Sequence, residues 1–166
     1  MQRDVKAILD GALGGGIGTV AMSAVMLAAG ESGLMGEHPP DKIAGTVLDA
    51  VGIHDPDEQV QDAVAVALHF GFGIGTGALF GLLHRRLPFR IPAASHGVVF
   101  GTLVWAVSYQ GWVPALGIMP PASDDRPDRP KVMLIAHLVY GALLGMMVAR
   151  RGDDADREHP SSSVEQ

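Results

Sequence analysis

The chain has no cysteine among its 166 residues. This excludes disulfides, thiolate metal centres and cysteine nucleophiles, and with them any Cys-x-x-Cys-His haem attachment. No Gly-Lys-Ser/Thr tripeptide is present to close a phosphate loop, and no G-x-S-x-G motif to present a serine nucleophile. Basic and aromatic residues nowhere interleave, so nucleic acid is not an expected partner, and the net charge of −6 comes largely from loops and tail. The most informative scarcity is of charge along the chain. Residues 11–30, 63–83, 91–123 and 132–149 contain no Asp, Glu, Lys or Arg.

Each of these stretches is long enough to span a membrane, because about 20 residues at ~1.5 Å each cross a ~30 Å hydrocarbon core. A buried helix of a water-soluble protein would show a polar face. In AVAVALHFGFGIGTGALFGLL (63–83) the only polar side chains are His69 and Thr76. The expected fold class is therefore all-α: a polytopic membrane protein whose residues 1–151 form a four-helix transmembrane bundle. The spans are expected near 8–30, 60–84, 91–111 and 131–150, followed by a disordered, polar cytoplasmic tail at 152–166. The third uncharged stretch is too long for one crossing, and Pro114, Pro120 and Pro121 place its exit near Tyr109–Trp112. A retained first helix is expected in preference to a signal peptide, since the apolar run is long and three more follow.

Lys/Arg asymmetry sets the orientation. With the N-terminus inside, Arg3, Lys6, Arg85, Arg86, Arg90, Arg150, Arg151 and Arg157 lie on the cytoplasmic side, against Lys42, Arg126, Arg129 and Lys131 outside. The reading is a multi-pass membrane protein with both termini cytoplasmic and the lipid bilayer as its main partner. In the first outer loop, PPDKIAGTVLDAVGI spaces Ile43, Val47, Leu48 and Val51 for a short amphipathic helix, with Pro40 and Asp41 suited to its first turn. The next helix is expected to start with Asp55 as N-cap and Pro56 at its first position. LPFRIP (87–92) reads as a tight cytoplasmic turn. Trp105, Tyr109 and Trp112 read as an aromatic anchor at the outer interface.

Glycine is abundant, with 22 copies, four of them in HFGFGIGTG (69–77). Nucleotide-binding readings fail, because Thr76 stands where a dinucleotide fingerprint needs glycine and no strand precedes the motif. Helical spacing accounts for the pattern better. Gly73, Gly77 and Gly81 form one stripe. Gly11/Gly15, Gly14/Gly18, Gly97/Gly101 and Gly141/Gly145 repeat the spacing in the other spans. Hydrophobic burial cannot hold helices together in lipid, whereas close backbone contact between small residues can.

Three histidines fall inside the spans. His69 and His137 are expected at similar depth near the outer side, and His96 near the inner side. The simplest role is a neutral ring hydrogen-bonding across helices. A proton-responsive pair is a second reading, since imidazole titrates near ~6.5. Ligation of haem b or a divalent metal is a third. Glu37, His38 and His54 are outer-loop candidates for a metal site or for an acidic, solvated surface. No catalytic residue is identified, and no enzyme activity or obligatory cofactor is expected. An oligomeric small-solute transporter or channel, and hence a homo-oligomer, is a further alternative.

GGGIGTVAMSAVM, GLMGEHPPDKIAG, the histidine–glycine helices, GIMPP and HLVYGALLG together resemble the YagU-type group of small four-span bacterial inner-membrane proteins. The resemblance covers most of residues 11–147. It implies an integral inner-membrane protein of envelope or acid-stress homeostasis, without established catalytic residues to carry over.

Overall fold

The computed structural model describes residues 1–86 and 91–158. Among them the regular structure is entirely helical. The long helix α1 (Gln2–Glu31) leads to the short α2 (Pro39–Ala50) and then to α3 (Glu58–Arg86). Next comes α4 (Ala93–Val107), which runs without a break through a π-helical turn (Ser108–Trp112) into α5 (Val113–Ala115). The last helix is α6 (Arg129–Glu158). Three helical segments, Gln2–Glu31, Glu58–Arg86 and Arg129–Gly152, are long and apolar enough to cross a membrane. Their outward faces are apolar too: Leu9, Val20, Leu27, Val66 and Ile135 are all more than half exposed.

The third uncharged stretch stays helical further than expected, to Ala115 rather than ending near Tyr109–Trp112. Pro114 explains the change of pitch. It has no N–H to donate to the carbonyl four residues back, and a wider turn just before it absorbs the mismatch. The last helix likewise continues past Gly152 to Glu158, into the segment expected to be disordered. The expected turn at 87–92 lies mostly outside the described residues, as do Arg90 and residues 159–166.

The second long helix begins later than its sequence signal. Asp55 is not the N-cap: it adopts a left-handed backbone (φ 59°), and α3 starts at Glu58. The carbonyl of Asp57 accepts the first hydrogen bonds, from the N–H groups of Val60 at 2.9 Å and Gln61 at 3.0 Å. The face of α2 also differs. Ala44 and Leu48 are buried, while Val47 and Val51 point outward at 40% and 67% exposure.

Side-by-side packing is dominated by α1 against α3, α4 against α6 and α1 against α6. Glycines set the closeness of these seams. A Cβ on Gly77 would lie 2.6 Å from the Gly15 Cα, and one on Gly11 would lie 2.9 Å from the Gly81 Cα. A Cβ on Gly73 would run into the Thr19 hydroxyl. Across the second pair, a Cβ on Gly97 would lie 2.8 Å from the Gly145 N, one on Gly101 3.1 Å from the Gly141 Cα, and one on Gly141 2.8 Å from the Gly97 carbonyl carbon. The other face of α1 meets α6 differently: Gly18 receives the Tyr140 ring, and Gly14 receives Leu144. The two offset glycine pairs of α1 thus serve two neighbours, which makes α1 a central rod.

Ion pairs close one end of the molecule. Asp10, 7% exposed, accepts from Lys6 Nζ and Arg151 Nε, both at 2.6 Å, and Arg85 pairs with Asp4. This brings the start of α1 together with the far ends of α3 and α6. At the opposite end the Arg129 guanidinium donates to the Met35 carbonyl at 2.8 Å and pairs with Asp125 at 2.7 Å. Asp125 also accepts from the Tyr109 hydroxyl. Arg126 donates to the Gly33 carbonyl at 3.0 Å. These bonds tie the connection after α1 to the loop before α6.

Candidate functional site

The pair α3 and α4 is the exception to close packing. The two helices touch only lightly, and bulky rings stand where glycines stand elsewhere. At the ion-paired end, Phe80 packs on Phe100 (5.2 Å between centroids) and His84 meets His96. Near the other end Phe72 faces Trp112 at 6.3 Å. Between these pinches the helices leave a cavity of about 410 Å³. Its walls come from α1 (Thr19, Met22, Met26), α3 (67–76), α4 with its π turn (Val104, Ser108, Tyr109, Trp112) and α6 (Met133, His137, Tyr140). Pro39, Pro40 and Ile43 of α2 cover one end. The volume falls within the usual range for small-molecule sites, which are mostly apolar with a few placed polar groups.

The π turn shapes this wall. Its extra residue per turn rotates the helix just where Ser108, Tyr109 and Trp112 line the cavity, and such turns are frequent at functional sites. Most of the hydroxyls in the lining are already engaged within the protein. Thr19 bonds the Gly15 carbonyl at 2.7 Å and Ser108 the Val104 carbonyl at 2.6 Å. Tyr140 donates to the Gly73 carbonyl at 2.7 Å and lies 2.9 Å from the Thr76 hydroxyl. Tyr109 is held by Asp125.

His69 and His137, the two histidines expected at similar depth, both line the cavity. The Nδ1 of His137 lies 2.7 Å from the Met133 carbonyl. A carbonyl only accepts, so Nδ1 carries the proton, and in the neutral ring Nε2 is left with its lone pair. The Nε2 of His69 is buried and has no hydrogen-bond partner. Among the described residues, no Lys, Arg, Asp or Glu side chain is part of the lining.

His96 lies elsewhere, with its Nδ1 3.1 Å from the Nδ1 of His84. His84 stacks on Phe80 at 5.4 Å. Sequence reasoning missed His84, because its place beside Arg85 and Arg86 reads as an ordinary basic helix end. It also missed Tyr140, Ser108 and Thr19 as cavity residues. The Tyr140–Gly141 step that follows His137 in HLVYG is the signal in the sequence that points to Tyr140.

The outer-loop candidates are dispersed. Glu37 pairs with Lys42 at 2.8 Å, and this partner holds its carboxyl below the usual range. His54 faces Asp49 at 3.3 Å. His38 precedes α2 and abuts Gly30. Asp41 is shifted upward, chiefly by burial. Among the described residues no group of three His, Asp or Glu side chains could hold a metal ion.

An all-helical chain with three helices long and apolar enough to span a bilayer, apolar outward faces and backbone contact between helices belongs to the α-helical membrane proteins. More narrowly, the chain belongs to the DUF6789 family, a family of unknown function whose model matches residues 5–159. No curated protein and no solved structure matches it. The family match brings no activity, no ligand and no residue roles.

Proposed function

We propose that this is a non-enzymatic, four-span membrane protein of the cell envelope that holds a small, largely apolar molecule between α3 and α4. The observation that carries the reading is the cavity itself. It is apolar, it interrupts the loosely packed α3–α4 seam, and it contains the unpartnered Nε2 of His69. The fourth span is the helical run 93–115, which lies against α6. We read both termini as cytoplasmic on the positive-inside rule, which the gathering of Arg3, Lys6, Arg85, Arg86, Arg150 and Arg151 at the end closed by the Asp4 and Asp10 ion pairs supports. The cavity then lies towards the outer leaflet, and its α3–α4 mouth opens sideways into lipid.

An envelope or acid-stress role fits this site. Placing a proton on His69 or His137 puts a charge among apolar groups inside the bilayer, which is costly. External acid would therefore expel the bound molecule or loosen the seam. The test is photolabelling of the protein in nanodiscs with a diazirine-bearing fatty alcohol, mapped by peptide mass spectrometry. Labels should concentrate in 67–76 and 104–113 and disappear in Val104→Trp, which fills the cavity. Uniform labelling of all outward faces would refute the reading.

A second reading, haem b held by His69 and His137, has one detail in its favour but asks for more room than the cavity of about 410 Å³ offers. A histidine whose Nδ1–H is anchored on a carbonyl presents Nε2 as metal-ligating histidines do. Purified protein would then be red with a Soret band. Colourless protein would rule this out.

A further inference from the structure

The cavity also restricts which molecule fits, and this step rests on the reading of the α3–α4 cleft as a binding site. Three features of the lining act together. First, it holds no charged side chain, so an ionised headgroup would enter without a counter-charge. The occupant is neutral. Second, the hydroxyls of Thr19, Ser108, Tyr109 and Tyr140 are committed inside the protein. The imidazole nitrogens remain, and the Nε2 of His137 is an acceptor because its Nδ1–H is donated to Met133. The occupant therefore gains most by bringing a hydroxyl. Third, beside aliphatic Ile43, Leu68, Val104 and Val113 the lining carries rings and thioethers, Phe72, Trp112, Met22, Met26 and Met133, whose polarisable faces favour an aromatic ring.

Size points the same way. A cavity of about 150 Å³ holds one benzene. By that scale the cavity of about 410 Å³ admits roughly 15 non-hydrogen atoms, enough for a substituted ring but not for a whole lipid. The α3–α4 seam between the Phe80–Phe100 and Phe72–Trp112 contacts lets a longer tail remain in the hydrocarbon. We propose that the cavity between α3 and α4 binds the hydroxylated ring of a membrane-dissolved quinol, its hydroxyl donating to His137 Nε2 and its tail leaving along the α3–α4 seam.

The full chain in synthetic-lipid nanodiscs serves for the test, with the diazirine fatty alcohol as reporter. Competitors are a decyl-substituted benzoquinol kept reduced, the matching quinone, and the quinol dimethyl ether. The quinol should displace the label at a concentration at least fivefold lower than either analogue, since neither can donate to the His137 acceptor. In His137→Phe that preference should vanish while the reporter still labels 67–76 and 104–113, which shows that the fold and the cavity persist. Equal displacement by quinol and ether, with labelling intact, overturns the quinol proposal and leaves the binding cleft standing. Failure of the reporter to label the cleft at all overturns both.

Discussion

The two kinds of helix seam in this molecule solve opposite problems. Along α1–α3 and α4–α6, glycines let backbones meet, and a side chain added at Gly11, Gly77, Gly97 or Gly141 would strike the facing backbone. Along α3–α4, Phe72, Phe80, Phe100 and Trp112 hold the helices apart, and a cavity results. In a bilayer the first arrangement supplies cohesion that hydrophobic burial cannot, because lipid is as apolar as the side chains. The second leaves a region whose walls are fixed by the first. A rigid frame beside an open seam can hold a guest without reorganising.

The sharpest way to break this contrast uses glycines from a single motif. Gly77→Leu drives a side chain into the Gly15 backbone, which cannot yield. It should cost about 3 kcal/mol or more, the upper range for overpacking. Gly75→Leu, two residues away with nothing within 4 Å, should stay within about 0.5 kcal/mol of the parent. Unfolding in mixed detergent micelles compares them, and equal effects would mean that the seams are not as described. A smaller loss is expected for Tyr140→Phe. It removes the hydroxyl that links α6 to the Gly73 carbonyl and to Thr76, worth about 1–2 kcal/mol by the same assay. Next comes Asp10→Asn, which leaves Lys6 and Arg151 without their shared partner. Both are about half exposed, so the cost should be near 1 kcal/mol and should shrink in high salt.

The smallest effect concerns the cover, α2. Burial raises the Asp41 carboxyl in the folded chain, so folding binds a proton there more tightly than the unfolded chain does. That preference favours the fold at acid pH and fades as pH rises through the elevated value. Asp41→Asn should therefore stabilise the protein slightly at pH 7 relative to pH 4, read as a difference in melting temperature. The Glu37–Lys42 pair has the opposite sign: its contribution is present at neutral pH and is lost on acidification below the lowered value.

Much of the architecture could be read from local pattern. Uncharged runs mark the long helices, and spacing of four marks the glycine stripes, because both depend on the sequence of one rod alone. The site was harder to read. His69 and His137 stood out as polar groups in apolar runs, but their common cavity depends on how far α3 and α4 diverge. That divergence is set by Phe80, Phe100 and the π turn before Pro114, features whose effect appears only once the rods pack. The start of α3 escaped for a related reason. Asp55 and Pro56 look like a helix opening, yet Asp55 turns the chain through a left-handed conformation and leaves the start to Asp57 and Glu58.

Whether the α3–α4 mouth faces lipid can be read from one fluorophore. The chain has two tryptophans, so Trp105→Phe leaves Trp112 alone in the α3–α4 wall of the cavity. In nanodiscs, lipids brominated along the upper acyl chain should quench Trp112 strongly, and aqueous iodide should hardly touch it. Strong iodide quenching with no response to brominated lipid would place this seam in water and contradict the lateral binding cleft.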